Sequence, residues 1–267
     1  MKKKILSISM LALIGLGLTV SSTSCSEKEG CTNPQAKNYD ADAEKDNGTC
    51  DLSGNKLEGN VWTINEDIKK GQDVTWTKDK IYILNKRIVV EDGGILRIQA
   101  GTIIKGQVGS GANATVLIVA RGGQIFAEGT AAEPIIFTSI ADAIEPGMVE
   151  SPNLDPTQEG LWGGLIILGK APISADAVAV QIDGIPTSDL RGLYGGDVAN
   201  DNSGVLKYVS IRHGGALIGT SNEINGLTLG GVGSGTVVEN IEIVSNQVGN
   251  ALDSKLNNYL DAGVGYY

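Results

Sequence analysis

One histidine, His213, stands among 31 acidic and 21 basic residues. An H-E-x-x-H zinc site, a histidine-based triad and a multi-histidine metal site all need more partners than one imidazole. No G-x-S-x-G occurs, so the nucleophile elbow of serine hydrolases is missing as well. His213 ends an apolar run and precedes Gly214 and Gly215, a corner where a structural hydrogen bond is the expected role. Carboxylates are therefore the main candidates for chemistry. Asp40, Asp42, Glu44 and Asp46 alternate as the oxygen ligands of calcium loops do. An EF-hand wants Gly at the sixth position and Glu at the twelfth; counted from Asp40, these are Lys45 and Asp51. That motif fails, so a solvated acidic spacer is the leading reading and calcium the alternative. A second set is Asp155, Glu159, Asp183, Asp189, Asp197 and Asp201, spread over two polar stretches, 141–160 and 174–203. Loops on a rigid scaffold often carry function, and these acids could build a glycan or calcium site.

A third set, Arg97, Lys207, Arg212 and Glu242, interleaves with apolar residues. Sugar-cleaving enzymes set acids and a base on such an outward face, but these four read as an ordinary solvated surface. One further pattern is a decoy. Gly164 to Ala171 nearly spells the phosphate-binding G-x-x-x-x-G-K-[ST]. Such a loop needs exposed N–H groups leading into a helix, with a hydroxyl for magnesium. Four consecutive apolar residues and Ala171 indicate a buried strand instead, and nucleotide binding is not expected.

The elements that must position these residues show in a repeat. Residues 87–140 fall into two halves that match at an offset of 29, aligned on Gly93-Gly94 and Gly122-Gly123. Ile88 then lies on Leu117, Val90 on Val119, Leu96 on Ile125 and Ile98 on Ala127. Residues two apart share a strand face, so Ile88 and Val90 form one apolar run and Leu96 and Ile98 the next. Residues 102–104 make a third. Three short strands and three turns in one repeat predict a rung of a parallel β-helix, because one rung cannot bury its own apolar face while stacked rungs can. A β-sandwich of similar strands is the alternative. Val209 and Ile211 match Ile241 and Ile243 at an offset of 32, so the coil resumes after the insertions. Trp62 and Trp76 are expected to close its N-terminal end.

The chain has 267 residues and 37 glycines, which suits tight turns between thin strands. Lys2, Lys3 and Lys4 precede an apolar stretch, 5–20, and a run of small residues leads to Cys25. This reads as a secretory signal over 1–24, too short for a membrane span. The pattern resembles a lipoprotein signal in which Cys25 takes the lipid, with a plain signal-peptidase site as the alternative. Losing 1–24 removes three lysines and no acid, so the net charge moves from −10 to −13. Such a balance opposes nucleic acid. Cys31 and Cys50 remain as a pair in an oxidising compartment. A disulfide there would stabilise a segment with almost no core by about 3 kcal/mol; two free thiols are the alternative.

Residues 31–50 look like short cysteine-bounded modules near the N-termini of bacterial surface proteins, through Cys31, Pro34, Ala36, Asn38, Tyr39, Gly48 and Cys50. The stretches GGILRIQAGTIIKG, RGGQIFAEGTAAEPIIFTS, GLWGGLIILGKAPI and LYGGDVANDNSGVLKYVSIRHGGALIGTSNEINGLTLGGVGSGT resemble a family of uncharacterised Gram-negative surface lipoproteins. The resemblance covers about 76–247 and implies a right-handed, pectate-lyase-type parallel β-helix on the outer membrane. It transfers no catalytic residues. Members of that family continue past the turn at Gln247 with further rungs, so the chain reads as truncated there.

The resulting expectation is an all-β protein in five parts. These are a signal over 1–24, a lipid-anchored, disulfide-stapled tether over 25–50, a cap over 51–80, a β-helix over 81–247 and a tail over 248–267. Leu252, Leu256, Tyr259 and Leu260 fall on one helical face, so a capping helix is expected over 251–262. An accidental tail after a lost frame is the alternative. The expected function is a non-catalytic surface lipoprotein that binds glycan, matrix or a partner protein. A polysaccharide lyase or glycoside hydrolase on the same scaffold is the runner-up. No cofactor is expected, calcium being the one alternative.

Overall fold

A computed structural model of the chain describes residues 27–33, 36–51, 54–219, 222–247, 252–255 and 264–266. The expected signal, Cys25 and Pro34 lie outside them. Among the described residues, regular structure is strand with two short 3-10 turns and no α-helix. The strands stack in parallel into a coil with three faces. Face one holds Ile88–Val90, Val116–Val119, Gly164–Leu168 and Leu227–Gly230. Face two holds Asp73–Trp76, Ile95–Ile98, Gln124–Glu128 and the first halves of two long strands, Gly204–Arg212 and Val237–Val244. Face three runs from Val61–Ile64 through Ile81–Leu84, Ile103–Gly106 and Ile135–Ser139 to the second halves of those long strands.

Registers follow the repeat. Ile88 pairs with Leu117 and Leu96 with Ile125, and Val209 pairs with Ile241 as Ile211 does with Ile243. All of these side chains point into one continuous core, where each buried Ile or Leu contributes roughly 1.5–3 kcal/mol. The third run is shifted from its expected place: Thr102 belongs to the turn, its hydroxyl bonding the Gln99 carbonyl at 2.7 Å, and the strand is Ile103–Gly106. The two long strands bend where Tyr208 and Asn240 take φ of 49° and 53°. These corners, like the next pair at His213 and Ser245, recur at the same 32-residue offset.

The N-terminal end is closed by aromatic packing and an antiparallel edge. Trp62 and Trp76 are buried in the core, and Trp76 stacks on Tyr82 with ring centroids 4.8 Å apart. Lys56–Glu58 pairs antiparallel to Val61–Ile64 and covers an edge that would otherwise expose unpaired backbone groups. Ahead of it, Cys31 and Cys50 form a disulfide with Cα atoms 4.8 Å apart.

The tail differs from expectation. Leu252–Lys255 is a strand on face one, paired in parallel with Leu227–Gly230. Val264–Tyr266 pairs in parallel with the Val237–Val244 strand on face three. The coil thus runs on where a capping helix was expected; the rest of 251–262 lies outside the described residues. Unpaired N–H and C=O groups along the last rung favour another strand, and that outweighs a weak 3.6-residue apolar pattern.

Both side insertions fold back onto the coil. Ile182, Ile185 and Tyr194 of the 174–203 insertion pack on the outward side of face one, against Val89, Ile118, Ile166 and Leu168. The 141–160 loop lays Ile144 on the outward side of face three, against Ile81, Ile103 and Ile136. There the buried Lys105 donates to the Asp142 carbonyl at 2.7 Å, and the Asp142 carboxylate accepts from Thr138 and Ser151, each at 2.8 Å. Among the described residues no insertion covers face two, and Asp73, Thr75, Arg97, Glu128 and Glu239 on it are exposed.

Candidate functional site

The carboxylates singled out in the sequence do not converge. Asp40 and Asp42 both face Lys28, at 2.9 and 3.5 Å, and the hydrogen bond from Lys28 holds the Asp40 carboxyl below its ordinary pKa. Asp46 accepts from the Gly48 N–H at 2.8 Å and Glu44 is exposed. Among the described residues no three His, Cys, Asp or Glu side chains group so as to hold a metal ion. In the insertions, Asp155 caps a turn by accepting from the Thr157 N–H and hydroxyl, both at 2.8 Å. Asp189 caps a 3-10 turn and binds Arg191 through both carboxylate oxygens, at 2.8 Å each. These bonds lower the Asp189 pKa and raise that of Arg191. Asp201 is buried, with the Ser203 hydroxyl at 3.2 Å, while Asp183 and Asp197 are exposed.

The outward set is engaged within the protein. Arg97 pairs with Asp73 at 2.9 Å and lies over the Phe126 ring at 4.8 Å. Lys207 meets Glu239 at 3.0 Å, a bond that raises its pKa. Arg212 donates to the Ser210 hydroxyl at 2.7 Å and to the Val149 carbonyl at 2.6 Å, and Ser210 donates to Glu242 at 2.5 Å. Arg212 and Glu242 therefore do meet, but around one carboxylate, and the 141–160 loop covers the arginine. His213 is buried at its left-handed corner, and its Nδ1 contacts the Gln158 carbonyl at 2.5 Å. A carbonyl only accepts, so Nδ1 carries the proton. Gly164–Leu168 is a fully buried strand, and Lys170 beyond it bonds Asp92 at 3.0 Å.

A cleft that the sequence did not disclose lies between the 174–203 insertion and the coil. The corners that follow face one carry Asp92, Arg121 and Lys170 in successive rungs, 29 and 49 residues apart in the chain. The insertion returns beside them with Val178, Leu190, Arg191 and residues 195–198, walling an open cleft of about 540 Å³. Arg121 donates to the Gly195 carbonyl at 2.9 Å and ties one wall to the coil. Arg191 ties the other, reaching Asp67 at 2.8 Å and Glu91 at 3.6 Å on two rungs. Gly122 makes the floor possible. Its φ is +84°, and an added Cβ would lie 2.5 Å from the Lys170 ammonium and nearer still to the Asp92 carboxylate. A second cavity, at the N-terminal mouth between Ala36, Lys37, Ile64 and Trp76, measures only about 80 Å³. That is below the usual range for a ligand pocket.

The stacked faces and their sealed core define a parallel β-helix. The profile of the pectate-lyase like beta helix domain matches residues 67–248, and the chain belongs to that family. No curated protein matches the chain. No solved structure matches it.

Proposed function

We propose that the chain is a non-catalytic lipoprotein with a right-handed β-helix body. It is anchored through Cys25 to the outer membrane of a Gram-negative cell and holds a glycan or a surface partner with its side loops. The observation that carries this reading is the condition of the outward face. Arg97, Lys207 and Arg212 are each bonded to a carboxylate or hydroxyl neighbour; Glu242 lies 3.7 Å from Arg212, and Glu128 and Glu239 flank Lys207, which stands between them in place of an open gap. Cleavage of a sugar chain by paired carboxylates needs two of them facing one gap. The second reading, a polysaccharide lyase or glycoside hydrolase, is favoured by the family's own description as pectate-lyase like. A net charge of −13 after loss of 1–24 leaves nucleic acid out of either reading. The reading uses no cofactor. For the anchor, cells are grown with an alkyne analogue of palmitate and their surface is probed with an impermeant label. Both labels should reach the protein, and Cys25→Ala should abolish the palmitate signal. Palmitate labelling that survives this substitution refutes the anchor.

A further inference from the structure

We propose that the cleft under the 174–203 insertion binds an uncharged, hydroxyl-rich ligand, a saccharide of one to a few rings. This rests on the ligand-binding reading above and narrows it to one site and one class. Charge decides the class first. Arg121, Lys170 and Arg191 line the cleft together with Asp92 and Asp197, and Arg191 is further shared among Asp189, Asp67 and Glu91. A carboxylate or phosphate ligand would meet Asp92 and Asp197 at the lining and the acids behind Arg191, and a metal ion would meet three cations. A neutral polar ligand meets neither penalty.

The floor supplies matched polar groups. Lys170 and Asp92 sit 3.0 Å apart, with side chains 40% and 68% exposed. The ammonium carries three donors and the carboxylate only accepts. Side by side, they match two neighbouring ring hydroxyls, one taking a bond and one giving it. The rim supplies apolar contact. Val178 and Leu190 are 73% and 71% exposed, and Val198 stands beside them. Grouped exposed aliphatics at a concave site mark a contact surface, and the C–H face of a sugar ring suits them. The cleft is open to solvent on one side, and its volume of about 540 Å³ lies within the range of small-ligand pockets.

Titration calorimetry of the purified chain tests this, using maltohexaose, cellohexaose, mannohexaose and xylohexaose, with hexagalacturonate as the anionic comparison. At least one neutral hexasaccharide should bind. Val178→Asp and Leu190→Asp should each weaken it by about tenfold, one decade in Kd. Both side chains are too exposed for these changes to disturb folding, and an unchanged Tm checks that. Val149→Asp, on the other loop, should leave affinity intact. No binding by any neutral probe at millimolar concentration, binding by hexagalacturonate alone, or full affinity in Val178→Asp overturns the site. Shortening of a hexasaccharide that still needs Val178 and Leu190 supports the site and removes the non-catalytic reading instead.

Discussion

Gly122 shows how a corner residue can set the floor of a cleft. It holds a left-handed φ, and the Asp92–Lys170 pair occupies the space that a side chain would take. Gly122→Ala should therefore cost about 1–3 kcal/mol, from backbone strain together with displacement of the pair. Gly147 has φ +90° with nothing within 4 Å of its Cβ position, so Gly147→Ala carries the strain alone. Chemical denaturation of both variants separates the two costs, and equal losses would mean that the pair does not rest on Gly122. Single residues were legible where flanking glycines mark a corner. His213 in its Gly-Gly corner reads as structural, and it contacts the Gln158 carbonyl. Asp189 and Asp201 were misleading, although Arg191 and Ser203 stand only two residues on. The sequence shows each neighbour but not the turn that brings it back onto the carboxylate.

Among the elements, the 141–160 loop covers an unusual group, Lys105 of the strand Ile103–Gly106. Burial lowers the pKa of Lys105 from its ordinary value of 10.5, while Asp142 and Glu145 act to raise it. Between the lowered value and 10.5 the unfolded chain binds more protons than the folded one, so this group makes stability rise with pH across that window. Lys105→Met should flatten the rise. At neutral pH it should change stability by no more than about 1 kcal/mol, because the lost bond to the Asp142 carbonyl offsets the lost cost of burying a charge. Urea midpoints between neutral and strongly alkaline pH measure both effects, and an undiminished slope in the variant would assign it elsewhere. Element pairing was legible wherever apolar residues stack at a constant offset, as Ile88 on Leu117 does. It was not legible in the tail. Leu252, Leu256, Tyr259 and Leu260 fit a helical face, yet Leu252–Lys255 extends the face-one ladder. Periodicity does not register the open backbone edge of the preceding rung.

Taken whole, the molecule covers parts of two of its three faces with its own loops and, among the described residues, leaves face two open. The outward side of face one is apolar and covered, while on face three the 141–160 loop covers Ile81, Ile103 and Ile136 together with the polar Lys105 and Arg212. Exposed polar side chains stand on face two, at the corners between faces and around Arg212 and Glu242 on face three. The cleft was hidden from the sequence because coiling alone unites Asp92, Arg121 and Lys170 across 78 residues of chain. The insertion that walls it could be recognised as an interruption, but not placed. The central claim is that this scaffold holds a sugar without cutting it. The most direct measurement is product release from polygalacturonate and from neutral polysaccharides by the purified chain. It is followed through new reducing ends and through the ultraviolet absorbance of unsaturated sugars. The account expects no product above a blank without protein. Product formed by the native chain and lost in Arg212→Ala or Glu242→Gln would contradict it.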